Sequence, residues 1–168
     1  MSVGKTTLVN ELAKLPEFKD YTSRTERSKY LMEMGIPLNT DSTLKGQTVF
    51  LAERCAELMN NDIITDRTVI DVMAFTMNAK SIGHYDKEIF ESYAKEFIRE
   101  YDYIFYISPH GIPMEDNGVR ETDEHYRDII DFTITTLIKK YGHMANKIEK
   151  ISGSTDERVE QILKFTNL

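Results

Sequence analysis

The sequence predicts an α/β fold in which a mainly parallel sheet is covered by helices on both faces. Segments with apolar residues at helical spacing alternate with short strand-like segments. The run Tyr103–Ile107 (YIFYI) is almost continuously apolar, which is typical of a parallel strand buried on both faces. The 168 residues are 40% apolar and 29% charged, which suits one domain with its own core. We therefore expect a single domain over residues 1–168.

The first half of the chain predicts two helices and one strand. Apolar positions recur at helical spacing directly after Gly4, and Pro16 ends that pattern. A second helix precedes residues 62–66 (DIITD), a run with the β-branched residues of a strand. We expect the buried face of this second helix to carry Ala52, Cys55, Ala56 and Met59.

The second half continues the alternation of helices and strands. Residues 86–101 have the helical period, and the strand Tyr103–Ile107 follows them. Residues 130–141 predict a long helix, Lys147–Ile151 alternates as a strand, and residues 159–163 lie in a closing helix. Ligands of such sheets bind at the carboxyl ends of the strands, so we expect the functional residues in the strand-to-helix loops.

The composition excludes several classes of protein. The formal net charge is −7, so no overall positive field attracts nucleic acid or anionic lipid, and we expect neither as a partner. The apolar runs are far shorter than the roughly 20 residues that cross a bilayer, and no secretory signal pattern is seen. Because Cys55 is the only cysteine, no intrachain disulfide forms, and we expect a cytoplasmic protein.

Residues 2–7 (SVGKTT) form a phosphate-binding motif. They run directly into the first helix and match the last part of the Walker A loop, G-x-x-x-x-G-K-[ST]. Backbone N–H groups at a helix N-terminus point at an anion, Lys5 adds charge for the β and γ phosphates, and the Thr6 hydroxyl can bind Mg²⁺. We therefore expect ATP and Mg²⁺ as cofactors. The residues expected to contact ATP are Ser2, Val3, Gly4, Lys5, Thr6, Thr7 and, from a later loop, Arg120.

The remainder of this motif would lie ahead of Met1. The missing parts are its first glycine and the strand that precedes it, which in this architecture lies inside the sheet. Without that strand, neighbouring backbone groups would have no partner. We therefore expect the natural protein to carry roughly 10 more residues, about 5 or 6 of them an apolar strand.

An acidic and a basic residue follow the strand at residues 62–66. The Asp66 carboxylate can accept a hydroxyl proton or help to hold Mg²⁺, and Arg67 can bind a phosphate or hydroxyl of the substrate. The competing interpretation is a solvated surface pair. Asp71 is a second candidate carboxylate, although it can equally cap the next helix.

Residues 108–123 (SPHGIPMEDNGVRETD) are polar, contain two prolines and two glycines, and read as a lid. We expect Arg120, with Arg127 as the weaker candidate, to neutralise phosphate charge in the transition state. The alternative is that Thr122 or Asp123 caps the helix that follows and that Arg127 pairs with acidic neighbours.

Two further segments have open interpretations. Arg24 and Arg27, in a segment rich in hydroxyls, either contact an acceptor phosphate or belong to an exposed turn. Residues 152–154 (SGS) either pack against adenine or, with Ser154 and Asp156, only cap the last helix.

Four segments, in order, resemble the P-loop nucleoside and nucleotide kinases. They are residues 4–7 (GKTT), Asp66 with Arg67, residues 113–120 (PMEDNGVR) and residues 152–159 (SGSTDERV). The pattern is most similar to the AAA-28-type group, which includes nicotinamide riboside kinase domains. The resemblance implies a P-loop NTPase fold of three layers (α/β/α), in which Asp66 and Arg67 act on the acceptor hydroxyl and Arg120 acts on ATP.

The leading functional prediction is an ATP-dependent kinase for a nucleoside or nucleoside monophosphate. Lys5, Asp66, Arg67 and Arg120 are its expected catalytic residues, and Thr6 and Asp66 are its expected magnesium ligands. The alternatives are an ATPase or nucleotide switch, a kinase for nucleic-acid ends or modified bases, and an inactive fragment. Spacing alone leaves the acceptor and the oligomeric state open.

Overall fold

A computed structural model describes residues 3–25, 28–112 and 124–167. The helices in these ranges are α1 (Lys5–Leu12), α2 (Ser28–Glu33), α3 (Leu44–Glu57), α4 (Val69–Asn78), α5 (His84–Ala94), α6 (Glu124–Tyr141) and α7 (Thr155–Thr166). The strands are β1 (Thr22–Arg24), β2 (Ile63–Thr65), β3 (Tyr103–Ile107) and β4 (Lys147–Ile151). None of the helices in these ranges is both long and apolar enough to span a bilayer.

All strand pairing in the described ranges is parallel, as the alternation of elements predicted. β1 pairs with β2, Thr22 lying opposite Ile63, and β3 pairs with β4, Tyr103 lying opposite Lys147. These pairs form two separate two-stranded sheets and not one continuous sheet. The α/β class is therefore confirmed, and the strands are divided into two pairs.

The core consists of two apolar clusters on different sides of the strands. The larger one is centred on α4 and α6, where Val69, Met73 and Ile130 are fully buried. The smaller one lies beneath the start of α1 and joins Val3 to the ends of β3 and β4. Its buried members are Val3, Leu8, Leu12, Phe18, Ile107, Ile151 and Ile162. The start of α1 therefore packs against buried apolar residues.

The predicted buried face of the second helix, now α3, is wrong for three of its four residues, and the fourth, Cys55, is partly buried against the larger cluster. Met59 lies just beyond the end of α3 and is 85% exposed, and Ala52 and Ala56 are also exposed. The residues that α3 buries are Gly46, Gln47, Leu51, Arg54 and Glu57. The spacing of apolar residues does not predict this face because two of its residues, Arg54 and Glu57, are charged. They can be buried because they form an ion pair with a distance of 3.0 Å.

Three elements were absent from the sequence-based assignment: β1, α2 and α4. β1 has only three residues and α2 only six, so neither has a long enough periodic pattern to be recognised. α4 is apolar on most sides because helices pack around it, and such a segment does not show the one-sided pattern of a surface helix.

Met73 and Met59 give a matched test of the core. We expect Met73→Ala to lower the free energy of unfolding by about 2–5 kcal/mol, because Met73 is fully buried and its removal leaves a cavity. Met59→Ala should change it by less than about 0.5 kcal/mol, since that side chain is exposed. Urea denaturation of both variants measures the difference, and equal losses would contradict this description of the core.

Candidate phosphate-binding and catalytic site

Gly4 turns the chain into α1 in a conformation that glycine favours. It is the N-cap residue, and its φ of 75° and ψ of 18° lie in the left-handed region. A Cβ atom at this position would also approach Arg158 Nη1 to 3.5 Å. The glycine of the motif therefore sets the direction in which the helix begins.

The N-terminus of α1 has the features of an anion site. No described side chain caps the helix, and its first turn has no acidic residue. The first amides of a helix have no partner within it, and the helix dipole places partial positive charge there. Lys5 is the first residue of α1 and is half-buried. This arrangement can hold a phosphate group.

The central contact of the site joins Thr6 to Asp66, which lie 60 residues apart. The Thr6 hydroxyl donates a hydrogen bond of 2.6 Å to Asp66 Oδ2. Asp66 is only 4% exposed, and no described group forms a hydrogen bond with its second oxygen, Oδ1. The structure thus places together the hydroxyl and the carboxylate that the sequence predicted as magnesium ligands.

This pair of residues fits a magnesium ion better than a cation that needs an all-protein cage. The described residues contain no group of three or more His, Cys, Asp or Glu side chains arranged to hold a metal. Mg²⁺ needs only one or two protein oxygens when substrate phosphates and water complete its octahedron. The buried, unbonded Oδ1 of Asp66 is the kind of oxygen that such an ion requires.

A buried polar network holds the end of β2, and the sequence analysis missed it. Arg54 is 3% exposed, and its guanidinium lies 3.0 Å from the Glu57 carboxylate and donates to the Thr65 hydroxyl at 3.2 Å. Burial raises the pKa of Glu57, and the adjacent Arg54 charge opposes that rise. The available signal was an Arg and a Glu three residues apart on the helix that leads to the strand.

The turn after Asp66 is fixed by the start of α4. Thr68 and Asp71 form a capping box, in which the Thr68 N–H donates to Asp71 Oδ2 at 2.9 Å. The buried Tyr101 hydroxyl accepts a hydrogen bond of 3.2 Å from the Val69 N–H. Asp71 therefore has the capping role that the sequence left open. These contacts hold Asp66 between two anchored elements.

Arg67 lies beside Asp66 on the α4 side of the turn. Its guanidinium carbon is 5.1 Å from the centre of the Phe75 ring, a cation–π contact. The Phe75 ring in turn lies 6.5 Å from the Tyr126 ring. Arg67 is half-buried, so its charge is held at the end of β2.

Arg158, on α7, supports the phosphate-binding motif and was not anticipated. It is 8% exposed, and its Nη1 donates a hydrogen bond of 2.7 Å to the Val3 carbonyl oxygen. α7 starts with a second capping box, in which the Ser154 N–H donates to Glu157 Oε2 at 2.7 Å. The capping interpretation of Ser154 is therefore confirmed. Nothing in the local pattern marks Arg158, because its partner lies 155 residues away.

The remaining residues predicted for the site either have side chains with no described contact to Thr6 or Asp66, or lie outside the described ranges. Arg24 is exposed on β1, and its carbonyl oxygen accepts a hydrogen bond from the Asp66 N–H at 3.1 Å. Arg127 donates to the Ile112 carbonyl oxygen at 2.9 Å, so its partner among the described residues is backbone and not an acidic side chain. The predictions for Ser2, Arg27, Arg120, Thr122, Asp123 and residues 113–120 lie outside the described residues.

Comparison with known proteins identifies the family and the fold. The family model AAA_28, described as an AAA domain, matches residues 1–158. The solved structure of deoxyadenosine kinase from M. mycoides, described with the products dCMP and a flexible dCDP bound, superposes with a TM-score of 0.68. The two sequences are 16% identical, and the match covers 98% of this chain and 94% of the kinase chain. No curated protein sequence matches the chain.

Fold and site together define a protein with the P-loop kinase fold, in which a Gly-Lys-Thr helix start meets a carboxylate at a strand end. More particularly, the chain belongs to the AAA_28 family of AAA domains. The predicted fold class and the predicted family are both confirmed.

Substitution of Arg158 tests the hydrogen bond that holds Val3, at the start of the motif. We expect Arg158→Met to lower the free energy of unfolding by about 1–3 kcal/mol, because the buried Val3 carbonyl loses its donor. Lys164→Met, at an exposed position of the same helix, is the matched control and should have little effect. Chemical denaturation measures both. An Arg158 variant as stable as the Lys164 variant would show that this hydrogen bond contributes nothing.

Proposed function

We propose that the protein is a magnesium-dependent kinase that transfers the γ-phosphoryl group of ATP to a nucleoside or a nucleoside monophosphate. The observation that carries this proposal is the 2.6 Å hydrogen bond between Thr6 and Asp66 at the N-terminus of α1. It joins the end of a phosphate-binding motif to a buried carboxylate at a strand end. Phosphoryl transfer depends on such positioning and on charge stabilisation.

The start of α1 and the side chains of Lys5, Thr6 and Asp66 would together bind Mg-ATP. The α1 amides surround the phosphates, and Lys5 supplies positive charge toward the β and γ groups. The Thr6 hydroxyl and the Asp66 carboxylate would hold Mg²⁺, which when bound neutralises charge on the phosphates. The buried position of Asp66 strengthens these electrostatic interactions because little water screens them.

The acceptor would approach from the end of β2. Asp66 Oδ2 accepts the hydrogen bond from Thr6, and Oδ1 has no described partner. With Mg²⁺ held through a water molecule, Oδ1 can take the proton of an acceptor hydroxyl. Arg67, stacked on Phe75, would bind a hydroxyl or phosphate of the acceptor. Arg120 retains its sequence-based role as a cation for the transferred phosphoryl group.

The choice of a nucleoside or nucleotide acceptor is supported by the fold. The similar solved structure is a deoxyadenosine kinase with bound dCMP and dCDP, and its likeness extends over nearly the whole of both chains. The sequence resemblance to P-loop nucleoside and nucleotide kinases points to the same class. Release of ADP from Mg-ATP with a panel of nucleosides and nucleoside monophosphates tests this proposal directly. ADP release that no acceptor stimulates would favour an ATPase or nucleotide switch.

Lys5→Ala tests the phosphate site. We expect a loss of acceptor-dependent ADP release of about 100-fold or more, since the charge facing the β and γ phosphates is removed. Lys14→Ala is the matched control, because Lys14 follows the end of α1 and its side chain is exposed. Lys14→Ala should keep full activity. Near-full activity of Lys5→Ala would contradict the mechanism.

Thr6→Ser and Thr6→Val test the proposed magnesium ligand. Thr6→Val removes the hydroxyl that contacts Asp66, and we expect it to raise the Mg²⁺ concentration for half-maximal rate by about tenfold or more. Thr6→Ser keeps the hydroxyl and should remain close to the unmodified protein. Titration of the rate with MgCl₂ separates the two variants, and identical curves would exclude a role of the hydroxyl in holding the metal.

A further inference from the structure

Arg158 is a buried cation without a counter-charge in the described part of the chain. It is 8% exposed, and its Nη1 donates a hydrogen bond of 2.7 Å to the Val3 carbonyl oxygen. No described carboxylate forms an ion pair with it, and its Nε has no described hydrogen-bond partner. Arginine is almost never buried to this degree in a folded protein unless an opposite charge accompanies it.

The other buried arginine pair in this protein is different. Arg54 is also buried, and its guanidinium lies 3.0 Å from the Glu57 carboxylate. Glu157 directly precedes Arg158, but its carboxylate accepts a hydrogen bond of 2.7 Å from the Ser154 N–H in the capping box of α7. The acidic residue next to Arg158 in the sequence is therefore engaged in capping the helix.

The Arg158 guanidinium lies behind the residues that lead into α1. A Cβ atom at Gly4 would lie 3.5 Å from Arg158 Nη1, the same atom that donates to Val3. Gly4 is the N-cap residue of α1, so this cation is next to the first amides of the helix. Those amides are the part of a helix that attracts an anion.

The hydrogen bond to Val3 also sets the direction of one backbone donor. In a trans peptide unit the C=O and N–H bonds point in opposite directions. Because the Val3 carbonyl points to Arg158, the Gly4 N–H points away from it, and no described group accepts from this N–H. Gly4 is left-handed and the next residue is helical, a succession in which neighbouring N–H groups form a concavity for an anion.

The charge of Arg158 can act on an anion through this peptide unit. Hydrogen bonds that follow one another in a chain polarise each other, so a cation on the Val3 carbonyl strengthens the Gly4 N–H as a donor. The guanidinium also adds its own field, and burial leaves little water to screen it. Both effects increase the attraction for a phosphate at the start of α1.

We propose that Arg158 is a positioning residue of the phosphate-binding site and that its counter-charge is the phosphate chain of the bound nucleotide. It directs and polarises the Gly4 N–H toward a phosphate, and it attracts that phosphate from behind the loop. The inference rests on the phosphate-binding part of the proposed function and not on transfer to an acceptor. The chemistry recognised is a polyphosphate, so inorganic tripolyphosphate should depend on Arg158 as ATP does.

Three variants of Arg158 separate its charge from its hydrogen bond. Arg158→Lys keeps a charge and a donor, Arg158→Gln keeps a donor without the charge, and Arg158→Met has neither. By isothermal titration calorimetry with MgCl₂ present, we expect the Lys variant to bind tripolyphosphate within about threefold of the unmodified protein. The Gln and Met variants should bind it about tenfold more weakly or worse.

Two controls accompany these titrations. Adenosine, which has no phosphate, should show the same binding to the unmodified protein and to all three variants. Lys164→Met changes an exposed cation on the same helix and should leave tripolyphosphate binding unchanged. Equal affinity of the Gln and Lys variants for tripolyphosphate would show that only the hydrogen bond matters, and it would overturn the proposal.

A measurement on the unmodified protein applies even if a variant does not fold. In heteronuclear NMR spectra, the Nε–H signal of Arg158, assigned through its backbone, should shift when tripolyphosphate is added. The Nε–H signal of Arg54 is the internal control and should stay in place, since Glu57 already neutralises that cation. An Arg158 signal that tripolyphosphate does not move would overturn the proposal.

The outcomes also distinguish this inference from the proposed kinase activity. Binding of tripolyphosphate that depends on the charge at residue 158, together with ADP release that no acceptor stimulates, would support the inference and contradict the kinase. Acceptor-stimulated ADP release with the same KM for ATP in the unmodified protein and in the Lys, Gln and Met variants would support the kinase and overturn the inference.

Discussion

The hydrogen bond from Thr6 to Asp66 is the interaction on which the site depends. It joins the first turn of α1 to the end of β2 and buries a carboxylate that would be costly to leave without a donor. Both residues also lie where the phosphates and the metal of a P-loop kinase are expected to meet. The structural contact and the proposed magnesium ligands are therefore formed by the same atoms, so a substitution of either residue would alter both.

Support for this contact comes from charged residues that the core encloses. Arg54 and Glu57 hold the end of β2 through Thr65, and Arg158 holds Val3 from the opposite side. A buried ion pair is weak evidence of stability by itself, because desolvation offsets most of the attraction. Its value here is positional. The two arginines fix the elements that bring Thr6 and Asp66 within hydrogen-bond distance.

Local sequence determined most of the longer helices and strands, although not α4, and the chemistry of the motif. The helix after Gly4, the strands at Ile63–Thr65, Tyr103–Ile107 and Lys147–Ile151, and the P-loop kinase fold were all predictable, because period, capping and the Gly-Lys-Thr pattern act over short distances. The sequence also named Thr6 and Asp66 individually. Their roles as magnesium ligands stay predictions.

Tertiary structure alone decided which residues meet and which faces are buried. The contact of Arg158 with Val3 spans 155 residues, and that of Thr6 with Asp66 spans 60, so no local pattern encodes either. The buried face of α3 was mispredicted because burial of Arg54 and Glu57 depends on the partners that packing supplies, and not on their own hydrophobicity. Local sequence determines which secondary structure each segment prefers, whereas long-range packing determines which polar side chains can be buried.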